Sequence, residues 1–181
     1  MEPENSEYTV LFEIARRAIE EGLKGRRYSI NTFSENKSLV NPAGAFVSLF
    51  IGENLRGCIG KFSGSDPLIN VVAEMARAAA FSDPRFPPLT AGEYADITIE
   101  ISVLTPMRKI ESIDEIIIGK HGLYISKNGR SGVLLPQVAS ARGWSVIEFL
   151  QHTSAEKAGL GKDGWRNAEI FVFEAIILHE R

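Results

Sequence analysis

Cysteine and histidine are both scarce in this chain. Its 181 residues include one cysteine, which cannot form an internal disulfide, and three histidines that lie far apart. A disulfide-stapled secreted scaffold and a Cys/His zinc site both need more of these residues at short spacings. The sequence therefore predicts no structural zinc. A mixed histidine and carboxylate site stays open, although no spacing favours it.

Long apolar runs and a strong net charge are also missing. No run approaches the about 18 apolar residues of a membrane helix, and the first residues, MEPENSEYTV, lack the charged and then apolar pattern of a secretion signal. We therefore expect a cytoplasmic protein with no membrane span. The formal net charge of −3 gives no field that attracts nucleic acid. The short basic cluster LKGRRY is explained as a solvated helix end, which leaves nucleic-acid binding as the weakest hypothesis.

What the chain does have is the composition of a globular protein, with 44% hydrophobic and 24% charged residues. Apolar residues at spacings of three and four predict a first helix over Val10–Leu23, ended by Gly22 and Gly25. The segments AFVSLFI, GEN and LRGCIG predict a β-hairpin. Asp66 as N-cap and Pro67 at the first helical position predict a second helix over SDPLINVVAEMARAAAF.

The second half of the chain continues this mixture of strands and helices. DITIEISVL alternates and predicts a strand with one wet face in an antiparallel sheet. GLYISKNGRSGVLL predicts a hairpin, because Asn128-Gly129 supplies the positive φ angles of a tight turn. WSVIEFLQHTSAEKAGL is typical of a helix broken near Thr153, and EIFVFEAIIL predicts a closing strand. The order of elements favours one α+β domain over residues 1–181.

Two short motifs match enzyme signatures but lie in the wrong context. GLGKDG fits the glycine pattern of dinucleotide-binding proteins, yet it follows a predicted helix where that pattern must follow a strand. SAEK fits the S-x-x-K pattern of serine acyl-enzymes, but the chain contains neither S-D-N nor K-T-G. We interpret the first motif as a helix end with a turn, and Ser154 of the second as a helix N-cap.

The only cysteine lies in LRGCIG. On a strand, Leu55 and Ile59 would take the core face, while Arg56 and Cys58 would share the other face with Cα atoms about 7 Å apart. A guanidinium beside a thiol favours the reactive thiolate. The glycines around Cys58 leave room for another backbone or a ligand to approach. Cys58 is therefore a candidate nucleophile; the alternative is that it packs as a small hydrophobe while Arg56 pairs with a carboxylate.

Two further segments could present functional groups. In FSDPRFPPLT, three prolines stiffen a loop that would display Asp83 and Arg85, with Phe86 filling a core gap or forming an apolar wall. The alternative is a rigid connector with a local, structural ion pair. In GKHGLY, His121 lies between two glycines, a spacing that would expose its imidazole as a base for Cys58. A hydrogen-bonded surface histidine is the alternative.

Four motifs in sequence order, LRGCIG, DPRFPPL, GKHGL and LLPQVA followed by a tryptophan, resemble the family named after the AMME syndrome chromosomal region. Its prokaryotic members are called AmmeMemoRadiSam system protein A. The resemblance runs from about Ala43 to Leu178. It implies one family domain, in which a mainly antiparallel sheet flanked by helices meets a smaller α/β subdomain across a cleft, with an internal boundary that the sequence does not give. It also implies that the motif residues line this cleft: Arg56, Cys58, Asp83, Arg85, His121, Gln137 and Trp144.

Two hypotheses for the function stay open. The first is a cysteine-dependent enzyme acting on a small anionic substrate, with Cys58 as nucleophile, His121 as general acid/base, and Arg56 and Arg85 binding the anion or stabilising the thiolate. The second is a non-catalytic adaptor or binding domain that docks a modification enzyme. The resemblance implies a Memo-like protein and a radical S-adenosylmethionine enzyme as partners. It supplies no reaction, and no cofactor follows from the sequence.

Overall fold

The structure is a computed structural model that describes residues 9–30, 37–62 and 66–180, with the backbone alone for residues 37 and 38. The chain forms two compact units, the first of Met1–Val103 with Ile176–Arg181 and the second of Leu104–Ala175. Each unit combines helices with an antiparallel sheet, so the predicted α+β class is confirmed. The expectation of one family domain with two intimately packed subdomains stays a prediction.

Helices and strands follow one another in this order: α1 (Thr9–Leu23), α2 (Lys37–Val40), β1 (Ala45–Ile51), β2 (Asn54–Lys61), α3 (Leu68–Phe81), β3 (Ile97–Leu104), β4 (Arg108–Lys109), β5 (Gly122–Lys127), β6 (Arg130–Leu134), α4 (Pro136–Arg142), α5 (Val146–His152), β7 (Glu169–Phe173) and β8 (Ala175–His179). Short 3₁₀ turns lie at Ile113–Glu115 and Gly164–Asn167, and a π-helical turn lies at Thr153–Lys157.

The core of the first unit lies between helices α1 and α3 and a sheet in the strand order β2-β1-β3-β8. The apolar stripe of α1 is buried as predicted, and Gly25 follows the helix with a φ of +69°. Strand β1 lies at the centre and pairs antiparallel with both β2 and β3, which confirms the first hairpin. The largest fully buried core side chains of this unit are Leu11, Ile19, Leu39, Leu49, Ile97, Ile99 and Ile101.

Two local predictions in the first unit are wrong. Asp66 is not the N-cap of α3, because its carboxylate accepts a hydrogen bond from Lys61 Nζ over 2.7 Å, and Pro67 occupies the cap position without a side-chain hydrogen bond. The outer face of β3 is not wet along its whole length. Thr98 is exposed there, but Ser102 is buried.

The second unit contains a sheet in the order β4-β7-β5-β6 with a core of its own. The predicted hairpin is confirmed, since β5 pairs with β6 across Asn128 and Gly129, whose φ angles are +52° and +76°. Helix α5 begins with a capping box, in which Ser145 and Glu148 bond each other's backbone N–H groups. Apolar residues buried in this core include Ile110, Leu123, Ile125, Phe149, Leu150, Trp165 and Val172.

The C-terminal part of the chain departs from the sequence prediction at two points. EIFVFEAIIL forms two strands, β7 and β8, one in each sheet. Between the two strands, Glu174 is bonded to Thr105 through its backbone. The Glu174 N–H donates to Thr105 Oγ1 over 2.8 Å, and the Thr105 N–H donates to the Glu174 carbonyl oxygen over 2.9 Å. The predicted helix break near Thr153 is confirmed. Ser154 is not an N-cap, because it is buried in the π-helical turn and donates to the carbonyl oxygen of Gly161.

Candidate functional site

Cys58 lies on the edge strand of the first sheet. Strand β2 pairs with β1 and is the first strand in the order β2-β1-β3-β8. Ser48 stands opposite Cys58 on β1, and its Oγ donates a hydrogen bond to the cysteine Sγ over 3.2 Å. Ser48 is buried, whereas Cys58 is half-buried. The thiol is therefore neither sealed in the core nor freely exposed.

Asp83 and Arg85 cover the open edge of β2 at Cys58. The N–H of Cys58 donates to Asp83 Oδ2 over 2.9 Å, and Arg85 Nη2 donates to the Cys58 carbonyl oxygen over 3.2 Å. The two side chains also bind each other, with Arg85 Nη2 at 2.7 Å from Oδ2 and Nε at 3.0 Å from Oδ1. Backbone groups at a sheet edge need partners. Here an ion pair, the Asp83–Arg85 clamp, stands in place of the next strand.

The clamp holds a buried negative charge against an exposed positive one. The side chain of Asp83 is 1% exposed and that of Arg85 is 56% exposed. Hydrogen bonds from the Arg85 side chain, and then from the backbone N–H groups of Cys58 and Arg85, hold the pKa of Asp83 well below its usual range, although burial opposes this shift. The pKa of Arg85 is raised, first by Asp83 and to a smaller extent by the Cys58 side chain.

Arg56 does not accompany Cys58 as the strand alternation predicted. Residue Leu49 pairs with Gly57 and Phe50 pairs with Leu55, so Arg56 is the extra residue of a β-bulge. The bulge turns Leu55 out of the core, where its predicted place was, and leaves it 37% exposed. The prediction for this part of β2 is wrong because a bulge reverses the alternation of side chains on its N-terminal side.

Glu93 is the partner of Arg56. Its Oε1 accepts from Arg56 Nε over 2.9 Å and its Oε2 from Nη2 over 3.2 Å. The guanidinium first, and then the N–H and hydroxyl of Thr90, lower the pKa of Glu93 to about 2. Arg56 is 9% exposed, and its Nη1 has no hydrogen-bond partner among the residues that the structure describes. Arg56 thus has the structural, carboxylate-paired arrangement, while Arg85 is the guanidinium that reaches Cys58.

The loop after α3 is held in place at several points. The N–H of Leu89 donates to the carbonyl oxygen of Ala80 over 2.8 Å, and the N–H of Phe86 donates to that of Asp83 over 3.2 Å. Phe86 is half-buried, with the Arg85 guanidinium 5.5 Å from its ring centroid. Phe86 therefore supports Arg85 with a cation–π contact.

Gly57 explains why α3 can lie so close to this strand. A Cβ built on Gly57 would lie 2.1 Å from the carbonyl oxygen of Ala79. The approaching backbone that the glycines of LRGCIG predicted is therefore helix α3 at Gly57, whereas at Gly60 the space is filled by the Phe46 ring. This close packing holds β2, and with it Cys58, near the end of α3 and the loop that follows it.

His121 belongs to the second unit and is 7% exposed. The prediction that its two flanking glycines expose the imidazole is wrong, because the ring is anchored to its own turn. The N–H of Ile117 donates to His121 Nδ1 over 3.2 Å, and the backbone N–H of His121 donates back to the Ile117 carbonyl oxygen over 2.9 Å. With Nδ1 accepting, the neutral ring carries its proton on Nε2.

Gln137 and Trp144 also belong to the second unit. Gln137 is exposed near the start of α4, and its backbone carbonyl oxygen accepts from Ser140 Oγ. Trp144 stacks on His152 with ring centroids 4.0 Å apart and an interplanar angle of 3°, and Arg142 lies 5.3 Å from its ring centroid. Its contacts are with the neighbouring helices of its own unit.

The predicted site residues thus divide between the two units. The first unit brings Cys58, Asp83, Arg85 and Phe86 together around one point of β2, with Arg56 turned to Glu93. The second unit holds His121, Gln137 and Trp144. Sequence reasoning missed Ser48 and Glu93. Counting back across the hairpin could have found Ser48, and the T-x-x-E pattern of residues 90–93 could have marked Glu93 as a capping residue.

The described residues contain neither a metal-binding cluster nor a membrane-spanning helix. No group of three or more histidine, cysteine, aspartate or glutamate side chains there is arranged to hold a metal ion. No helix in the described ranges has the length and apolarity to cross a membrane.

A family model, several proteins and a solved structure are similar to this chain. The family model described as AMMECR1 matches residues 12–178. Protein MK0488 of Methanopyrus kandleri is 41% identical over 181 residues, which cover 94% of this chain and 86% of that protein. Protein NEQ441 of Nanoarchaeum equitans is 42% identical over 180 residues, with 94% and 98% covered. The crystal structure of protein PH0010 from Pyrococcus horikoshii superposes with a TM-score of 0.85 at 36% identity, covering 100% of this chain and 95% of that one.

Proposed function

This chain belongs to the AMMECR1 family, and from that premise we propose that it is a cytoplasmic enzyme in which Cys58 attacks a small anionic substrate. The observation that carries the proposal is the pair of groups around the thiol. In cysteine enzymes the thiolate reacts, and it is stabilised by hydrogen-bond donors and neighbouring cations. Cys58 has one of each: the Ser48 hydroxyl donates to its Sγ over 3.2 Å, and the Arg85 guanidinium donates to its backbone carbonyl oxygen over 3.2 Å.

Arg85 is the substrate-binding group in this proposal. Its Nε and Nη2 are bonded to Asp83 and to the Cys58 carbonyl oxygen, whereas its Nη1 makes no hydrogen bond with any described residue. More than half of the side chain is exposed. A guanidinium held in this way can bind a carboxylate or phosphate next to the thiol without moving.

The proposed step is nucleophilic substitution at an electrophilic carbon. The thiol gives its proton to solvent, and the Sγ–C bond forms while the leaving group departs with its electron pair and takes up a proton. Water then cleaves the S–C bond of an acyl intermediate and restores the thiol.

The experiment compares iodoacetate with iodoacetamide as alkylating agents for the native protein. Cys58 is the only cysteine, so mass spectrometry reads one site. An anion-binding site raises the rate ratio of the charged over the neutral reagent above that of a free thiol such as glutathione. We expect Arg85→Gln to remove this preference, and to lower the iodoacetamide rate by less than the iodoacetate rate, because it removes both the anion-binding group and a cation near the thiol. A substitution that changed only the exposure of the Cys58 thiol would alter both alkylation rates by the same factor and leave their ratio unchanged.

Arg166→Gln is the matched control, because Arg166 is 60% exposed and pairs with an aspartate in the second unit. It should leave the ratio unchanged. His121→Gln should leave alkylation unchanged as well, since this step needs no acid. A native Cys58 that reacts only after unfolding would refute the nucleophile, as would equal ratios for the wild type and Arg85→Gln.

A non-catalytic binding domain is the second candidate, and the backbone contacts of the clamp favour it. The stiff DPRFPPL loop presents Arg85 and Phe86 without needing the sulfur of Cys58. The proposed partners are a Memo-like protein and a radical S-adenosylmethionine enzyme, supported by the family resemblance. If this candidate is right, Cys58→Ser still captures the purified partner, whereas Arg85→Glu does not. Loss of capture in Cys58→Ser would contradict a role without chemistry.

A further inference from the structure

A cavity of about 620 Å³ lies within the first unit. Its walls come from α1 at Ala18, from residues 27–30 after that helix, and from one face of α3. Spacings of three and four place Asn70, Glu74, Arg77 and Phe81 on this face. Ala79, which carries the contact with Gly57, lies on the opposite side of α3. A volume of this size falls within the roughly 300–1,000 Å³ range of small-molecule sites.

Two arginines, Arg27 and Arg77, line the cavity. Arg77 and Arg27 make no ion pair or hydrogen bond with any residue in the described ranges, and the Nε of Arg77 is buried there without an acceptor. Among the described lining residues, one acidic side chain, Glu74, stands against the two arginines. The described part of the lining therefore has a net positive charge. A buried donor on a charged group without an acceptor is costly, so the site favours an anion.

The rest of the lining is apolar and aromatic. The Phe81 ring lies against α1, where a Cβ built on Gly22 would come within 2.3 Å of its Cε2 atom. Tyr28 and Ile30 contribute from the segment after α1. An inorganic ion would satisfy the arginines and leave these walls without contact. An aromatic or other flat body would cover them.

We propose that this cavity binds a small organic anion, with its carboxylate or phosphate held by Arg77 and Arg27 and its apolar body packed against Phe81 and Tyr28. The site shares no residue with the Cys58 site, so the inference is independent of the proposed function. A small anion in this cavity would lie beside the C-terminal end of α3, which leads directly into the loop of Asp83.

The probe is 8-anilinonaphthalene-1-sulfonate, an anion with an aromatic body whose fluorescence rises on binding. We titrate it into the full chain at pH 7 and expect saturable binding at one site. Arg77→Gln should raise the Kd about tenfold or more, because a hydrogen bond to a charged group is lost. Arg27→Gln should raise it as well. Ala78→Leu, which fills part of the cavity without changing charge, should weaken binding too.

Arg17→Gln is the matched control, since Arg17 is an exposed arginine of α1 outside the cavity lining. It should leave the Kd unchanged, and near-UV circular dichroism confirms that each variant is folded. Binding that is absent, or that weakens equally in Arg77→Gln and Arg17→Gln, overturns the proposal. If Arg77→Gln fails to fold, the Kd values of Arg27→Gln and Ala78→Leu are compared with that of Arg17→Gln, and equal values overturn the proposal.

Competition identifies the head group. Displacement of the probe by adenosine 5′-monophosphate supports a phosphate ligand, and displacement by benzoate supports a carboxylate ligand. Inorganic phosphate should compete at least about tenfold more weakly than the better of the two, because it leaves the apolar walls uncovered. Equal competition by inorganic phosphate, or no competition by either organic anion, overturns the proposal.

Discussion

Replacing Asp83 by asparagine tests whether the clamp holds the edge of the first sheet. The carboxylate accepts from the backbone N–H groups of Cys58 and Arg85 and from the Arg85 side chain. Asparagine has nearly the same shape but only one acceptor oxygen. Whichever way the amide is turned, its NH₂ group faces either the Cys58 N–H and Nη2 or the Arg85 N–H and Nε, so two donors lose their acceptor.

The structure sets the size of the effect. A hydrogen bond to a charged acceptor contributes about 1.5–3 kcal/mol, and a buried donor left without an acceptor costs about 1–3 kcal/mol. The Arg85 side chain is more than half exposed, so water screens its attraction to Asp83. The ion pair therefore adds little to the free energy of unfolding beyond these hydrogen bonds. We therefore expect Asp83→Asn to lower the free energy of unfolding by about 2–4 kcal/mol at pH 7.

The pH dependence of this difference follows from the lowered pKa of Asp83. The ionised carboxylate is bound in the folded state, so its contribution is complete above the unfolded pKa of about 3.9. It is lost as the pH falls from there towards the lowered folded pKa. The difference between wild type and Asp83→Asn should therefore stay constant from pH 7 to about pH 5 and narrow below about pH 4.

Urea unfolding followed by circular dichroism measures both quantities, with an unchanged m-value as the check that the variant shifts stability alone. Asp163→Asn is the control, because Asp163 also pairs with an arginine but is 68% exposed. It should cost less than about 0.5 kcal/mol. An Asp83→Asn variant no less stable than this control would refute the clamp, as would a difference that widens in acid.

Two further outcomes are expected. Gly57→Ala should destabilise the protein by about 2–3 kcal/mol, because the new Cβ would lie 2.1 Å from the Ala79 carbonyl oxygen. Gly92→Ala is the control, since its Cβ would have its nearest contact at 4.0 Å, and it should shift the Tm little. Equal Tm values for the two variants would contradict the close approach of α3 to Gly57. Glu93→Gln should lower the urea midpoint at pH 7, because it removes the charged partner of Arg56. This loss should shrink below about pH 4.3 and disappear as the pH falls below about 2, since the folded pKa of Glu93 is about 2. A loss that is independent of pH would argue against the pairing.

Local patterns in the sequence predicted most of the elements. The apolar stripe of α1, the helix formers of α3 and the Asn128-Gly129 turn are all short-range signals, and all three elements are present. The start of α3 was misplaced because Asp66 has a competing partner, Lys61, that local capping rules do not consider. The closing segment was predicted as one strand because nothing local shows that Thr105 takes up the backbone of Glu174.

The site was predicted in part, for a related reason. Cys58, Asp83 and Arg85 were identified as candidates, but alternation placed Arg56 beside the thiol. A β-bulge leaves no mark in a short apolar and polar pattern, since the pairing of Leu55 with Phe50 depends on the neighbouring strand. Stiffness of the proline-rich loop was visible in the sequence, whereas its attachment point, the backbone of a residue 25 positions earlier, was not.

The contacts of the clamp bear on why position 58 carries a cysteine. Asp83 bonds the N–H and Arg85 bonds the carbonyl oxygen, and every residue except proline offers both groups. The clamp therefore explains why LRGCIG and DPRFPPL occur together, since one supplies the open edge and the other covers it. It does not explain the sulfur, because serine or alanine would leave those backbone bonds intact. Packing explains it poorly as well, because Cys58 is half-buried and its Sγ contacts a hydroxyl. The proposed function gives the sulfur a role, the reactivity of a thiol that accepts from the Ser48 hydroxyl, and the alkylation experiment measures that reactivity.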